Sequence, residues 1–232
     1  MCIRDRIRGD KLEYILFIIG FIVVIYAQYQ ITNVYHNTAN IKNSKLLSGQ
    51  EVARKILDAN GLESIYIVQI GGELTDHYDP GRNVIRLSSR VFQDDSIASL
   101  AVAAHECGHA IQKKEGYLFY RLRSALVPIV NLVSYLGYFV LIISLFAGIT
   151  TYLLLGMIML LATLVFQLVT LPVELDASKR GMEQIQKLSL IEDTEMNSVS
   201  QMLKAAAMTY VASLISTVLN LLRLLIMINR RD

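Results

Sequence analysis

From Ser124 to Val173 the chain runs for 50 residues without an Asp, Glu, Lys or Arg. An unbroken helix of that length would extend about 75 Å at 1.5 Å per residue, against a bilayer hydrocarbon core of about 30 Å. The run therefore predicts two crossings, at about Leu126 to Phe146 and Tyr152 to Leu171. The turn between them is expected near Ala147 to Thr151, where Gly148 and two threonines interrupt the aliphatic residues. A first span is expected in YILFIIGFIVVIYA, Tyr14 to Ala27, with Gln28, Tyr29 and Gln30 at the interface. A fourth apolar stretch, Ala205 to Ile228, carries Asn220 and Arg223; Arg223 would snorkel to the interface, or the helix would lie partly on the membrane surface. The composition agrees: 53% of residues are hydrophobic and only 18% charged, against about 25% charged in globular proteins. The fold class predicted is a mainly α membrane protein of about four transmembrane helices, with a small α+β catalytic unit between the first and second.

The segments follow from this pattern. Residues 1–13 form a lead whose opening MCIRDRIR matches nothing downstream and reads as a non-native extension. Residues 14–30 are the first span, retained because no small-residue cleavage site follows it. Residues 31–123 are a soluble segment, 124–173 the hairpin, 174–204 a juxtamembrane segment, and 205–229 the last span or an interfacial helix. Within 31–123, Ser48 and Glu51 form a capping box ahead of Val52, Ala53, Ile56 and Leu57, and Gly61 stands at the C-terminal cap. SIYIVQI reads as a strand, Gly71 and Gly72 turn it, and Asp79-Pro80-Gly81 separates ELTDHY from NVIRLSS, which together predict a small antiparallel sheet. A second helix starts around Asp94 to Ser96 and stops by Gly116. The two cysteines, Cys2 and Cys107, make no disulfide framework. A net charge of +2 and the lack of a basic, aromatic-interleaved block exclude a nucleic-acid surface.

On that second helix stands HECGH, His105 to His109. At about 100° per residue, His105 and His109 lie some 40° apart on one face and can share a metal ion. Glu106 is then adjacent, placed to accept a proton from an attacking water whose pKa a zinc ion lowers toward about 7, and to pass it to the leaving amine. Only four histidines occur in the chain, and two of them sit on this alanine-rich helix, where unligated imidazoles would be awkward. Cys107 points roughly the other way and is excluded as a ligand. A catalytic zinc needs a third protein ligand and an open position. A double crossing returns the chain to its starting side at Pro172-Val173-Glu174, which brings Glu174 to the face of the histidines; Asp176 is the nearby competitor.

HECGHAIQ followed by LRSALVPIVN and FQLVTLPVELDAS, and preceded by LTDHYDP and RLSS, resembles the YugP-type membrane zinc metallopeptidases of bacteria. The likeness runs from about the first span to the final helix. That family is grouped with the gluzincins, and it resembles the heat-shock and CAAX-prenyl membrane proteases in placing a glutamate ligand after a transmembrane hairpin. The resemblance implies a peptidase with one zinc ion per chain, His105, His109 and Glu174 as ligands and Glu106 as base. In those broader relatives an aspartate follows the glutamate ligand by four residues; here that position is Ser178. Peptides or membrane proteins are the implied substrates, and a bacterial cell membrane the implied location.

Further candidates are weighed against plainer readings. NVIRLSS stands where a gluzincin cleft has its edge strand, so Val84, Ile85, Arg86 and Leu87 are candidate substrate-binding residues by main-chain pairing; a structural hairpin explains them equally well. Tyr210 is a candidate oxyanion donor, although an aromatic at a membrane boundary is commoner. Asp76, His77 and Asp79 suggest a second metal cluster but are better explained as a polar turn. The competing function is a zinc-binding or inactive membrane scaffold, against which the intact Glu106 argues. An intramembrane site is excluded because only nine uncharged residues, Ser96 to Ala104, precede His105. Arg121, Arg123, Lys179, Arg180 and Lys204 flank the catalytic side, which favours a cytoplasmic site, opposed by Arg8, Lys11, Arg230 and Arg231 on the other.

Overall fold

The computed structural model describes the backbone of residues 3–147 and 152–229, and side chains within these except 3–10, 138, 140–147, 152–154 and 229. Seven helices and a three-stranded sheet follow in the order α1 (Ile3–Ala39), α2 (Gly49–Ala59), β1 (Tyr66–Ile70), β2 (His77–Asp79), β3 (Val84–Ser88), α3 (Ser89–Gln93), α4 (Ile97–Glu115), α5 (Leu118–Ala147), α6 (Tyr152–Lys187) and, after one 3₁₀ turn at Asp193–Glu195, α7 (Met196–Asn229). The chain divides into two compact units. The first comprises Met1–Gln28, Leu122–Leu171 and Met208–Asp232; the second comprises Tyr29–Arg121 and Pro172–Ala207.

The first unit is helical. Among the described residues, three helices are long and apolar enough to cross a membrane: Lys11–Ala39, Leu155–Lys187 and Asp193–Ile228. Their apolar side chains are largely turned outward, with Phe21, Ile22 and Leu168 all more than half exposed, which in water would be unfavourable and in lipid is the ordinary arrangement. Four spans are not established, because the expected span Leu126 to Phe146 falls partly on side chains outside the described set. The expected turn is bracketed by the end of α5 at Ala147 and the start of α6 at Tyr152, while the turn residues themselves lie outside the described residues. Small residues bring helices close: a Cβ on Gly137 would stand 2.2 Å from the Met159 sulfur, and one on Gly20 3.2 Å from Ser216 Oγ. The Arg223 guanidinium lies 5.1 Å from the centroid of the Phe17 ring, an α1–α7 contact that gives this span-borne cation a partner.

The second unit carries a conventional core. Tyr35 from α1, Val52, Ile56 and Leu57 from α2, Ile85 and Leu87 from β3, Leu100 and Ala101 from α4, Ile185 from α6 and Met202 from α7 belong to one buried cluster. The segment 31–123 is therefore completed by Pro172–Ala207. The α2 capping box forms as the sequence requires: Ser48 Oγ accepts from Glu51 N–H and the Glu51 carboxylate accepts from Ser48 N–H, and Gly61 takes the left-handed conformation with φ +63°. Ser96 caps α4 by accepting from Ser99 N–H at 3.1 Å, and Gly116 ends it with φ +67°.

The sheet corrects two expectations. Its order is β1-β3-β2. β1 runs parallel to β3, with Tyr66 opposite Val84, and β2 runs antiparallel, with His77 opposite Arg86. The sheet is mixed rather than antiparallel. Val84, Ile85, Arg86 and Leu87 lie on its central strand, with main chain paired on both sides, so they do not form an edge that a peptide can join. The physical reason is burial on both faces: Val84, Ile85, Leu87 and Ser88 are all buried, and an apolar run that ignores alternation belongs in the middle of a sheet. The edge strands are β1 and β2.

Candidate metal centre

His105, Glu106 and His109 all ride on α4, whose surroundings are dry: Ala101, Ala103, Ala104 and Cys107 are fully buried. Glu174 comes from α6, and glycines allow it to reach them. A Cβ on Gly108, in the middle of HECGH, would stand 2.3 Å from the Ala177 carbonyl oxygen. One on Gly181 would stand 2.8 Å from that of Ala104. Only hydrogen at these two positions lets the backbones of α4 and α6 touch, and α6 presents Glu174 one turn before Ala177.

The three side chains converge. Glu174 Oε2 lies 3.2 Å from His105 Nε2 and 3.6 Å from His109 Nε2, and the two imidazole centroids are 4.8 Å apart with planes at 82°. Among the described residues these form the one group of His, Cys, Asp and Glu able to hold a metal, their ligand atoms all within 4.8 Å of one another. A tetrahedral ion with bonds of about 2.0–2.1 Å keeps its ligand atoms roughly 3.3 Å apart, so the donor set and its spacing fit zinc. Glu174 is 2% exposed and His109 8%, a burial that two imidazoles and a carboxylate tolerate only with partners.

The supporting contacts complete this picture. His105 Nδ1 meets Ser178 Oγ at 3.0 Å, and His109 Nδ1 meets Gln112 Oε1 at 3.0 Å. Ser178, four residues after Glu174 on α6, thus touches His105 directly. Asp176, the competitor for third ligand, instead accepts from Gln112 Nε2 and from Arg180 Nε. Glu106 Oε2 accepts the Tyr78 main-chain N–H of β2 at 2.9 Å. Burial pushes the Glu106 carboxyl up to about 7; His105 and the Tyr78 N–H oppose this, and the charges of Glu174 and Asp76 add to it. A carboxyl poised near neutrality at a buried site suits proton transfer.

Tyr210 lies on α7, within the first unit. Tyr120, which carried no sequence signal, is buried with its ring 6.4 Å from that of His109. Cys107 faces away, its thiol against the Ala53 carbonyl at 3.6 Å. Asp76 accepts from Ser88 N–H and Oγ, and Asp79 from Gly81 N–H, Arg82 N–H and Arg86, which are turn and strand contacts. Gln112 and Ser178 were the residues that sequence reasoning gave no role. The available signal was spacing: Gln112 three residues after His109 and Ser178 four after Glu174, each on its ligand's helix face.

Such a centre on a chain with membrane-length helices describes a membrane-associated zinc peptidase, and comparison with known proteins agrees. The chain belongs to the family described as "Putative neutral zinc metallopeptidase", which matches residues 13–229. It is 39% identical over 208 residues to "Putative membrane protease YugP" of Bacillus subtilis (strain 168), an alignment covering 89% of this chain and 92% of that protein. No solved structure matches it.

Proposed function

We propose that this chain hydrolyses peptide bonds at a gluzincin-type site beside the membrane, holding one zinc ion through His105, His109 and Glu174 with Glu106 as general base. The observation that carries the reading is the convergence of Nε2, Nε2 and a carboxylate oxygen within 4.8 Å, with Glu106 next to His105 on the same buried helix. Zinc held there supplies Lewis acidity and lowers the pKa of a coordinated water toward about 7. Glu106 takes a proton from the attacking water and returns it to the leaving amine, and the Tyr78 N–H fixes which way its carboxylate faces. Of the two edge strands, β2 is the one that touches Glu106, through the Tyr78 N–H, so a substrate is expected to lie on the β2 side of α4. The apolar stretch of α6 ends at Val173, and Glu174 is the next residue of the same helix, which supports a site at headgroup level.

Metal analysis of detergent-purified protein tests this. We expect one zinc per wild-type chain and little in His105→Ala or His109→Ala, since two remaining donors hold the ion weakly. Full occupancy in either variant would refute the ligand assignment.

The basic residues Arg121, Arg123, Lys179, Arg180 and Lys204 support a cytoplasmic site. In a Cys2→Ser background on intact cells, Gly148→Cys should react with a membrane-impermeant maleimide and Lys187→Cys should not. The reverse pattern places the site outside and leaves the zinc assignment intact.

A further inference from the structure

Gln112 is fully buried, on α4 one turn beyond His109. Its Nε2 donates to the Val173 carbonyl at 2.8 Å and to Asp176 Oδ2 at 2.8 Å. A main-chain carbonyl can only accept, so the amide orientation is fixed and Oε1 is the atom that faces His109 Nδ1 at 3.0 Å. An amide oxygen also only accepts. Nδ1 of His109 therefore carries a hydrogen, and Nε2, on the Glu174 side, is the ring nitrogen left for a metal. The anchor continues outward: Arg180 donates to Asp176 and is paired with Glu115. Val173 directly precedes Glu174, so the same amide ties the helix of the third ligand to the helix of the second.

The partner of His105 lacks this directionality, since the Ser178 hydroxyl can donate or accept. We infer that Gln112 is the positioning residue of the metal centre: by accepting from His109 Nδ1 it fixes the ring so that Nε2 is the nitrogen offered to the ion, and it holds Glu174 in register with it. The two histidines are then unequal, His109 preset by an amide and His105 adjustable through a hydroxyl. The inference rests on the zinc-site reading above.

The test is equilibrium zinc binding to the purified full chain against a chelator of known affinity, with the cobalt absorption spectrum as a second readout. Wild-type protein that binds no zinc refutes the site reading itself. Given wild-type binding, Gln112→Met, which keeps the volume but offers no acceptor, should weaken zinc about 10- to 100-fold and alter the cobalt spectrum, with Ser178→Ala weakening it less. Gln112→Glu keeps an acceptor at His109, and its protonated form, favoured by burial beside the Asp176 carboxylate, keeps a donor on the Val173 and Asp176 side, so it should bind zinc more tightly than Gln112→Met and return the spectrum toward wild type. Gln112→Met with unchanged affinity and spectrum overturns the inference. If that variant does not fold, Gln112→Glu decides alone: a folded Gln112→Glu that binds zinc no better than His109→Ala overturns it, and near wild-type binding supports it.

Discussion

Glu106→Gln is expected to retain the full zinc content and to lose about 10²- to 10⁴-fold in turnover, the usual contribution of a positioned acid–base group. The amide occupies the same buried volume, and its oxygen can still accept the Tyr78 N–H that now meets Glu106 Oε2 at 2.9 Å, so the fold and the ligands have no reason to change. What it lacks is a basic lone pair. The wild-type carboxylate can take a proton from water; a side-chain amide cannot take one at any pH an enzyme survives. The measurement is cleavage of a membrane-protein peptide library alongside metal analysis. Turnover within a few-fold of wild type would show that Glu106 is not the base, and loss of zinc together with activity would show that it supports the metal centre instead.

Gly108→Ala should destabilise the chain and empty its metal centre. By intrinsic propensity alone, alanine in place of a mid-helix glycine stabilises by about 1 kcal/mol, so the sign of the effect is diagnostic. The new methyl, fixed rigidly to the α4 backbone, would sit 2.3 Å from the Ala177 carbonyl oxygen, which is itself backbone, so neither group can rotate away. α6 must move out by an ångström or more. Overpacking of this kind costs about 1–3 kcal/mol and sometimes more. The displaced helix also carries Glu174 and Ser178, so the proposed third ligand and the His105 partner withdraw together. Thermal melting and zinc titration check the two halves separately. A higher melting temperature with normal zinc affinity would mean that the close crossing of α4 and α6 is not what seats Glu174.

Local signals carried much of the sequence reading. The capping box at Ser48 and Glu51, the left-handed glycines at 61 and 116, the Ser96 cap and the 40° separation of His105 and His109 depend on neighbours within one or two helical turns. Interactions of that range are written in consecutive residues. The strand order was not legible in the same way. A hairpin turn at Asp79-Pro80-Gly81 correctly joins β2 to β3, but nothing local says that β1 returns to the far side of β3. Val84-Ile85 as consecutive apolar residues was the one available hint of double-sided burial. Gln112 and Ser178 were visible only as spacings, because a hydrogen-bond partner on another helix leaves no mark on the residues around it.

Membrane-length apolar helices, and a helix whose two histidines are spaced to share a metal with a carboxylate between them, are written in the order of the residues themselves. Hydrophobic run length and helical periodicity fix those features whatever the chain does elsewhere. Which strand is an edge, and how each histidine is held, depended on packing between distant segments. That packing also decided that Asp176 serves Gln112 and Arg180 while Glu174 meets the imidazoles. Those outcomes depend on the depth to which α4 and α6 can approach each other, which two glycines more than seventy residues apart set jointly.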